Sequence, residues 1–259
     1  MNIFNKILSI RVKIVLIVLG TIAIIILCMY LVSETIISKS YLQIEREQMI
    51  QDIQRANDAT VNIASELTVK LTDWAYWDDT YQFIQDRNRD YLKANLEDVA
   101  LYNLEINAMV FINAKDKIIF QKIIDLETVE EVSSDSLAEH VLANKELTTH
   151  IDDSSLVNGI VMLPEGAMII ASRPILTSNR TGPVQGSLIF GKYINDKLVD
   201  SISRLTHLSV QFYNFDASNL PADVVEARSN WLQEQEQYYI KPLATDSIAG
   251  YQIIKDIYD

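Results

Sequence analysis

The sequence predicts an α+β chain: a membrane-spanning helix, then a long helix, then a domain built on one mostly antiparallel sheet. Three observations predict it. Ile14 to Val32 runs 19 residues without a charge. Ser33 to Tyr81 contains neither Pro nor Gly. From about Ile106 the apolar pattern shifts to short β-rich runs broken by turn residues.

The first element, "IVLIVLGTIAIIILCMYLV", is long enough at 1.5 Å per residue to cross a hydrocarbon core of about 30 Å. A secretory signal peptide is the competing reading, but the run exceeds the usual apolar region of such signals and no small-x-small cleavage site follows it. Lys6, Arg11 and Lys13 precede the run with no acidic residue among them, so residues 1–13 are expected in the cytoplasm and everything beyond residue 32 outside. The expected setting is an inner membrane crossed once. The sole cysteine, Cys28, falls within the span, which leaves the exported part without a disulfide.

The breaker-free stretch that follows predicts one long helix, or two end to end, from Ser33 to about Tyr81, with residues 33–70 as its membrane-proximal part. Leu42, Arg46, Met49, Ile53, Ala56, Thr60, Ile63 and Leu67 alternate spacings of four and three along it. That stripe fits two arrangements, a homodimeric coiled coil or an amphipathic helix lying on the chain's own core. Asp86 to Leu104 reads as a further helix. Ile106–Asn113 and Lys117–Ile124 flank "AKD" as a hairpin, and Ser136–Asn144 forms a short helix. Gly159–Leu176, divided by Pro-Glu-Gly, and Gly186–Ile194 give three strands of a meander. Asn195–Thr206 returns to helix, and Leu208–Phe215 and Gly250–Tyr258 read as strands.

Charge narrows the function classes. The chain has 22 basic and 35 acidic residues, and setting aside the three N-terminal cations leaves 19 against 35 for the exported part, a balance of −16. Such a surface repels nucleic acid and anionic headgroups, so no nucleic-acid partner is expected. His140, His150 and His207 show no metal-ligand spacing, and neither a nucleophile elbow nor a phosphate loop is present. No enzyme, metal or cofactor is therefore predicted. The acid pairs Asp78/Asp79, Glu130/Glu131 and Asp152/Asp153 read as solvated surface.

One stretch, "LTDWAYWDDTY", stands apart. In a continuous helix Trp74, Trp77, Asp78 and Tyr81 fall within roughly one 100° arc, placing a carboxylate among aromatics where it needs a partner. Arg173, in the otherwise apolar "ASRPIL", is the leading protein partner, since a guanidinium there is costly unless paired. Two readings stay open for Trp74, Trp77, Asp78, Tyr81 and Arg173: a buried polar pair within an aromatic core, or a pocket in which Arg173 holds an anionic ligand.

"DWAYWDDTYQFI", "YLKANLEDVALYNLEINAMVFIN", "SRPIL" with "GPVQGSLIFGKYIN", and "GYQIIKDIY" together resemble the class 4 CHASE domain, over about Leu67 to Asp259. That resemblance implies a PAS-like or Cache-like fold for residues 67–259. It also implies an extracytoplasmic, periplasmic ligand-sensing role in a bacterial transmembrane receptor. Receptors of this kind usually carry a second span and a cytoplasmic diguanylate cyclase, phosphodiesterase or histidine kinase, so a chain ending at Asp259 is expected to be a fragment or a truncated receptor. An unidentified small molecule is the implied ligand. The alternative is a membrane-tethered scaffold or protein-binding module that uses the aromatic face only as core.

Overall fold

A computed structural model describes residues 10–33, 38–244 and 247–258. Lys6 and the rest of residues 1–9 lie outside the described residues, as does the Leu42 side chain at the head of the predicted seam. The chain divides into two compact units, one of Asp52–Tyr239 with Tyr251–Asp259 and one of Met1–Gln51 with Ile240–Gly250.

Helix α1 (Ile10–Val32) has 23 residues, none of them buried by protein. At a mean hydropathy of 3.0 and a length of about 35 Å, it is long and apolar enough to cross a membrane. Helix α2 (Ser38–Ala75) follows for 38 residues, as the absence of Pro and Gly predicts. From Ala59 onward its inward residues recur every fourth position: Ala59, Ile63, Leu67, Leu71 and Ala75 all pack into the chain's own core. The predicted seam from Thr60 to Leu67 is thus occupied by intramolecular packing.

Of the two arrangements expected up to about Tyr81, two helices end to end are present: the first ends at Ala75. Trp77 is extended, with φ −107° and ψ 131°, and α3 (Asp78–Asp86) starts anew. The helix expected over Asp86–Leu104 likewise divides into α4 (Arg89–Asn95) and α5 (Asp98–Leu104), with the buried Leu96 at the break. The Asn88 side chain caps α4 by accepting from the N–H groups of Asp90 and Tyr91.

The predicted hairpin forms as β1 (Ala108–Asn113) and β2 (Ile118–Ile123). Asn113 Oδ1 closes its turn by accepting from the backbone N–H groups of Lys115 and Lys117. After α6 (Ser136–Ala143) and a 3-10 turn at Lys145–Leu147 come β3 (Val157–Leu163), β4 (Gly166–Pro174) and β5 (Gly186–Tyr193). All five strands pair antiparallel in the order β2-β1-β5-β4-β3.

Strand alternation divides the sheet's faces cleanly. Met109, Phe111, Ile169, Ala171, Leu188 and Phe190 face α2 and α3 in one core cluster. Ala108, Val110, Ile112, Met168, Ile170 and Ile189 form a second with Leu137 and Val141 of α6. The result is helices on both faces of one sheet.

Helix α7 (Asp196–Thr206) is capped by the Asn195 side chain. Leu208–Phe215, expected as a strand, belongs to no sheet. Val210 and Phe212 still pack on the core, so the alternation reports one-sided burial without strand pairing. Three later elements depart from expectation. Helix α8 (Ala222–Glu234) and strand β6 (Tyr239–Ala244) lack a predicted counterpart, and β7 (Ser247–Tyr251) covers only the start of the strand expected at Gly250–Tyr258. Strands β6 and β7 make a separate two-stranded sheet.

Candidate functional site

The break between α2 and α3 is held from a distance by the loop between β4 and β5. Leu176 N donates to Ala75 O at 3.1 Å, satisfying the last carbonyl of α2. Asp78 Oδ1 accepts from Ser178 N at 2.9 Å, and this bond, helped by the Ser178 side chain, holds the Asp78 carboxyl below its ordinary range. Gln185 Nε2 donates to the Tyr81 hydroxyl, which donates to Pro183 O at 3.3 Å. Gly182 passes close beneath: its φ is +93°, and a Cβ there would stand 3.0 Å from the Tyr81 oxygen.

Trp74 and Trp77 are half-buried and belong to the core edge. They meet edge-on at 6.0 Å, Trp74 leans on Phe190 at 6.2 Å, and Trp77 lies 5.7 Å from Tyr91. Tyr91 in turn stacks on Phe83 at 4.6 Å, joining α3 and α4 to the sheet.

Asp78 and Arg173 do not form the expected buried pair. Asp78 is exposed, because the extended Trp77 turns the chain and sets the carboxylate in the first turn of α3, facing loop backbone. Arg173 instead directs its Nη1 to the Tyr76 hydroxyl at 3.0 Å.

Tyr76, which a continuous helix would turn away from this face, is the residue the structure places at the centre. Its ring is buried and its hydroxyl donates to Asp153 O at 2.8 Å while accepting from Arg173. The guanidinium carbons of Arg173 and Arg180 lie 5.7 and 4.9 Å from its ring centroid. One tyrosine thus gathers strand β4, the β4–β5 loop and the segment before β3. Arg173 Nε is buried and has no hydrogen-bond acceptor among the described residues.

The segment Thr148–Leu156 is anchored on both faces of the sheet. Ser187 Oγ donates to Thr148 O, and His150 Nε2 lies 3.2 Å from Ser172 Oγ on the α6 face. Asp153 O then reaches Tyr76 on the other. Ser172 spends its own proton on Leu147 O at 2.6 Å, so it accepts from His150 Nε2–H, leaving Nδ1 to accept from Ser155 Oγ. Burial, reinforced by the positive charge of Arg173, brings the His150 pKa down to about 4. The imidazole is neutral at pH 7.

Two surface cavities lie away from this junction. One of about 350 Å³ is lined by Gln121–Ile123 and Glu131–Asp135, and one of about 340 Å³ by Glu97–Val99 and Lys122. None of Trp74, Trp77, Asp78, Tyr81 or Arg173 lines either. Among the described residues no cluster of three His, Cys, Asp or Glu side chains is arranged to hold a metal.

The CHASE4 domain family model matches residues 62–213, more than half of the chain. The methanogenesis regulatory histidine kinase FilI of Methanothrix harundinacea (strain 6Ac) is 24% identical over 194 residues, which are 75% of this chain and 21% of that protein. The chain spans about a fifth of the length of that curated relative. Among solved structures, the extracellular domain of vpHK1S-Z8, described as a histidine kinase, superposes with a TM-score of 0.50 at 12% identity, covering 83% of this chain and 91% of that one. A domain of a sensory box/GGDEF family protein from Vibrio parahaemolyticus gives 0.49 at 16% identity over 72% and 77% of the two chains. The likeness at a TM-score of 0.50 shows a shared α+β fold. The matched family span takes in the C-terminal part of α2, the whole five-stranded sheet and every residue of the Tyr76 junction, and the chain belongs to the CHASE4 domain family, the sensor modules of membrane signalling receptors.

Proposed function

We propose that the chain senses a small ligand at the Tyr76 junction and passes the result to the membrane through α2. In this reading residues 1–13 are cytoplasmic, 14–32 span the membrane, 33–70 form the signalling helix and 67–259 form the extracytoplasmic sensor. The chain itself does no catalysis. A histidine kinase is the output suggested by the FilI relative, and two copies pair through the membrane-proximal part of α2, where Ile44 is exposed.

One observation carries the reading: the C-terminal end of the membrane-proximal helix is bonded directly to the loop and strand that bear two arginines in no ion pair among the described residues. A ligand that prefers one arrangement of those arginines shifts the population of α2 conformers with it. Helix α2 is the covalent route from the junction to α1.

The test is a receptor in which this chain is continued by a second span and a histidine-kinase module, assayed for autophosphorylation in membranes. Tyr76→Phe keeps the ring but removes both hydroxyl bonds, and is expected to shift basal phosphorylation at least about threefold, equivalent to roughly 0.65 kcal/mol of bias. Unchanged phosphorylation in Tyr76→Phe and in Tyr76→Ala would reject the junction as the sensing element.

A further inference from the structure

We infer that the Tyr76 junction is a carboxylate site, in which Arg173 and Arg180 take the head group of a small organic acid. This rests on the reading of the junction as the sensing site and names the class of ligand it takes.

The first support is a mismatch of charge. The chain carries 35 acidic against 22 basic residues, so partners for cations abound. Lys70 and Lys192 share Glu105, Lys122 takes Asp98, Lys145 takes Asp116 and Arg55 takes Asp52. Arg173 and Arg180, like surface cations such as Arg87 and Lys117, are in no ion pair among the described residues; what sets them apart is that both converge on the Tyr76 ring. Two nearby carboxylates are engaged elsewhere: Asp78 accepts from Ser178 N, and Asp152 from Ser154 N and Oγ.

The second support is geometry. Arg173 Nη1 is spent on Tyr76, and the Tyr76 proton is spent on Asp153 O, so the tyrosine faces Arg173 purely as an acceptor and fixes the guanidinium plane. What remains is the edge of Nε and Nη2, whose two parallel N–H bonds match the two oxygens of a carboxylate. Nε is buried and unmet, a state that proteins rarely leave unanswered. Arg180 stands on an exposed loop and supplies the second positive charge from outside. The Thr148–Leu156 segment meets the junction through Asp153 O, and Ile151 within it is 95% exposed. Nε is buried, so a carboxylate reaches it only as part of the junction shifts.

A singly charged acid suits this setting better than a polyanion. Two guanidiniums offset one carboxylate easily, whereas the net charge of −13 opposes the approach of phosphates with two or more charges.

The test uses the full chain in nanodiscs, with calorimetric titration and tryptophan-detected melting. The probes are acetate, propionate, lactate and pyruvate, the primary amides of the same acids, inorganic phosphate and sulfate. At least one acid is expected to bind and raise the melting midpoint, with its amide at least about tenfold weaker. Arg180→Gln, on an exposed loop, is expected to weaken binding about tenfold without moving the unliganded midpoint. Arg173→Lys, which keeps the charge but loses the fork, is expected to do the same to affinity, and Lys115→Gln to change nothing. No acid binding below about 10 mM, equal binding of acid and amide, native-level binding in both arginine variants, or tighter binding of phosphate than of every acid each overturns the inference. An amide that binds equally well and is lost in Tyr76→Phe overturns the carboxylate assignment while leaving the junction as the sensing site.

Discussion

At the scale of single residues the junction works by satisfying donors and acceptors in sequence. Arg173 gives to Tyr76, Tyr76 gives to Asp153 O, Ser155 gives to His150, His150 gives to Ser172, and Ser172 gives to Leu147 O. A second ring proton would reverse the bond to Ser155 and place a charge in a buried site beside Arg173, so His150 is favoured neutral. Its folded pKa of about 4 lies below the roughly 6.5 of an unfolded histidine, so between those values the unfolded chain binds more protons. The stabilisation is therefore complete above about pH 6.5 and is lost as pH falls towards 4. Its size is on the order of 2 kcal/mol once the partial exposure of the ring is discounted. Denaturation of the full chain in micelles at pH 7.5 and pH 5 should show this loss in the native protein. A smaller loss is expected in His150→Gln, with His140 and His207 intact in both. An identical pH dependence in the two proteins would remove His150 from the account.

Helix α2 shows at the scale of elements how far local pattern reaches. Its existence and its apolar stripe were legible, because Pro, Gly and the spacing of apolar residues act within a few turns. Its end was not. No breaker marks Tyr76 or Trp77, and the break is stabilised by Leu176 and Ser178, about a hundred residues away in the chain. The strand expected at Leu208–Phe215 failed for a related reason: alternation reports which side is buried, while pairing needs a free strand edge elsewhere. The site was legible in the same measure. Arg173 stood out as a costly cation in an apolar run, whereas Tyr76 and Arg180 carried no local mark, since their meeting depends on the break. The choice left open by the stripe, own core or partner helix, is settled for its lower half by Leu67, which is 3% exposed against the sheet-side cluster. Leu67→Ala is expected to cost about 3 kcal/mol. Val69→Ala, at 61% exposed, should cost within about 0.5 kcal/mol. Urea unfolding of the full chain in micelles measures both. A Leu67→Ala loss that grew or shrank with protein concentration would place that residue in an intermolecular seam instead.

At the scale of the whole molecule the distribution of charge and hydropathy sets the topology in which the sensor can work. Helix α1 carries its apolar residues on every side, with Arg11 and Lys13 at its start and no basic residue in its last turn. Beyond Val32 the balance is 19 basic against 35 acidic residues, so the charge bias favours retaining the N-terminal flank in the cytoplasm. The proposed orientation would place the Tyr76 junction outside the membrane. It also separates the acidic domain from the cytoplasm's nucleic acids, with which its charge would in any case keep it from associating. Paired fusions after Asp259 test the arrangement: alkaline phosphatase, which is active only when exported, and a fluorescent protein that matures only in the cytoplasm. The phosphatase fusion is expected to be active and the fluorescent one dark. Replacing Lys6, Arg11 and Lys13 with Gln, and Glu34 and Thr35 with Lys, reverses the bias across α1 and should move a substantial share of the chains to the opposite orientation. Fluorescence from the native fusion without phosphatase activity would refute the orientation, and with it the placement of Arg173 and Arg180 on the face that meets the outside world.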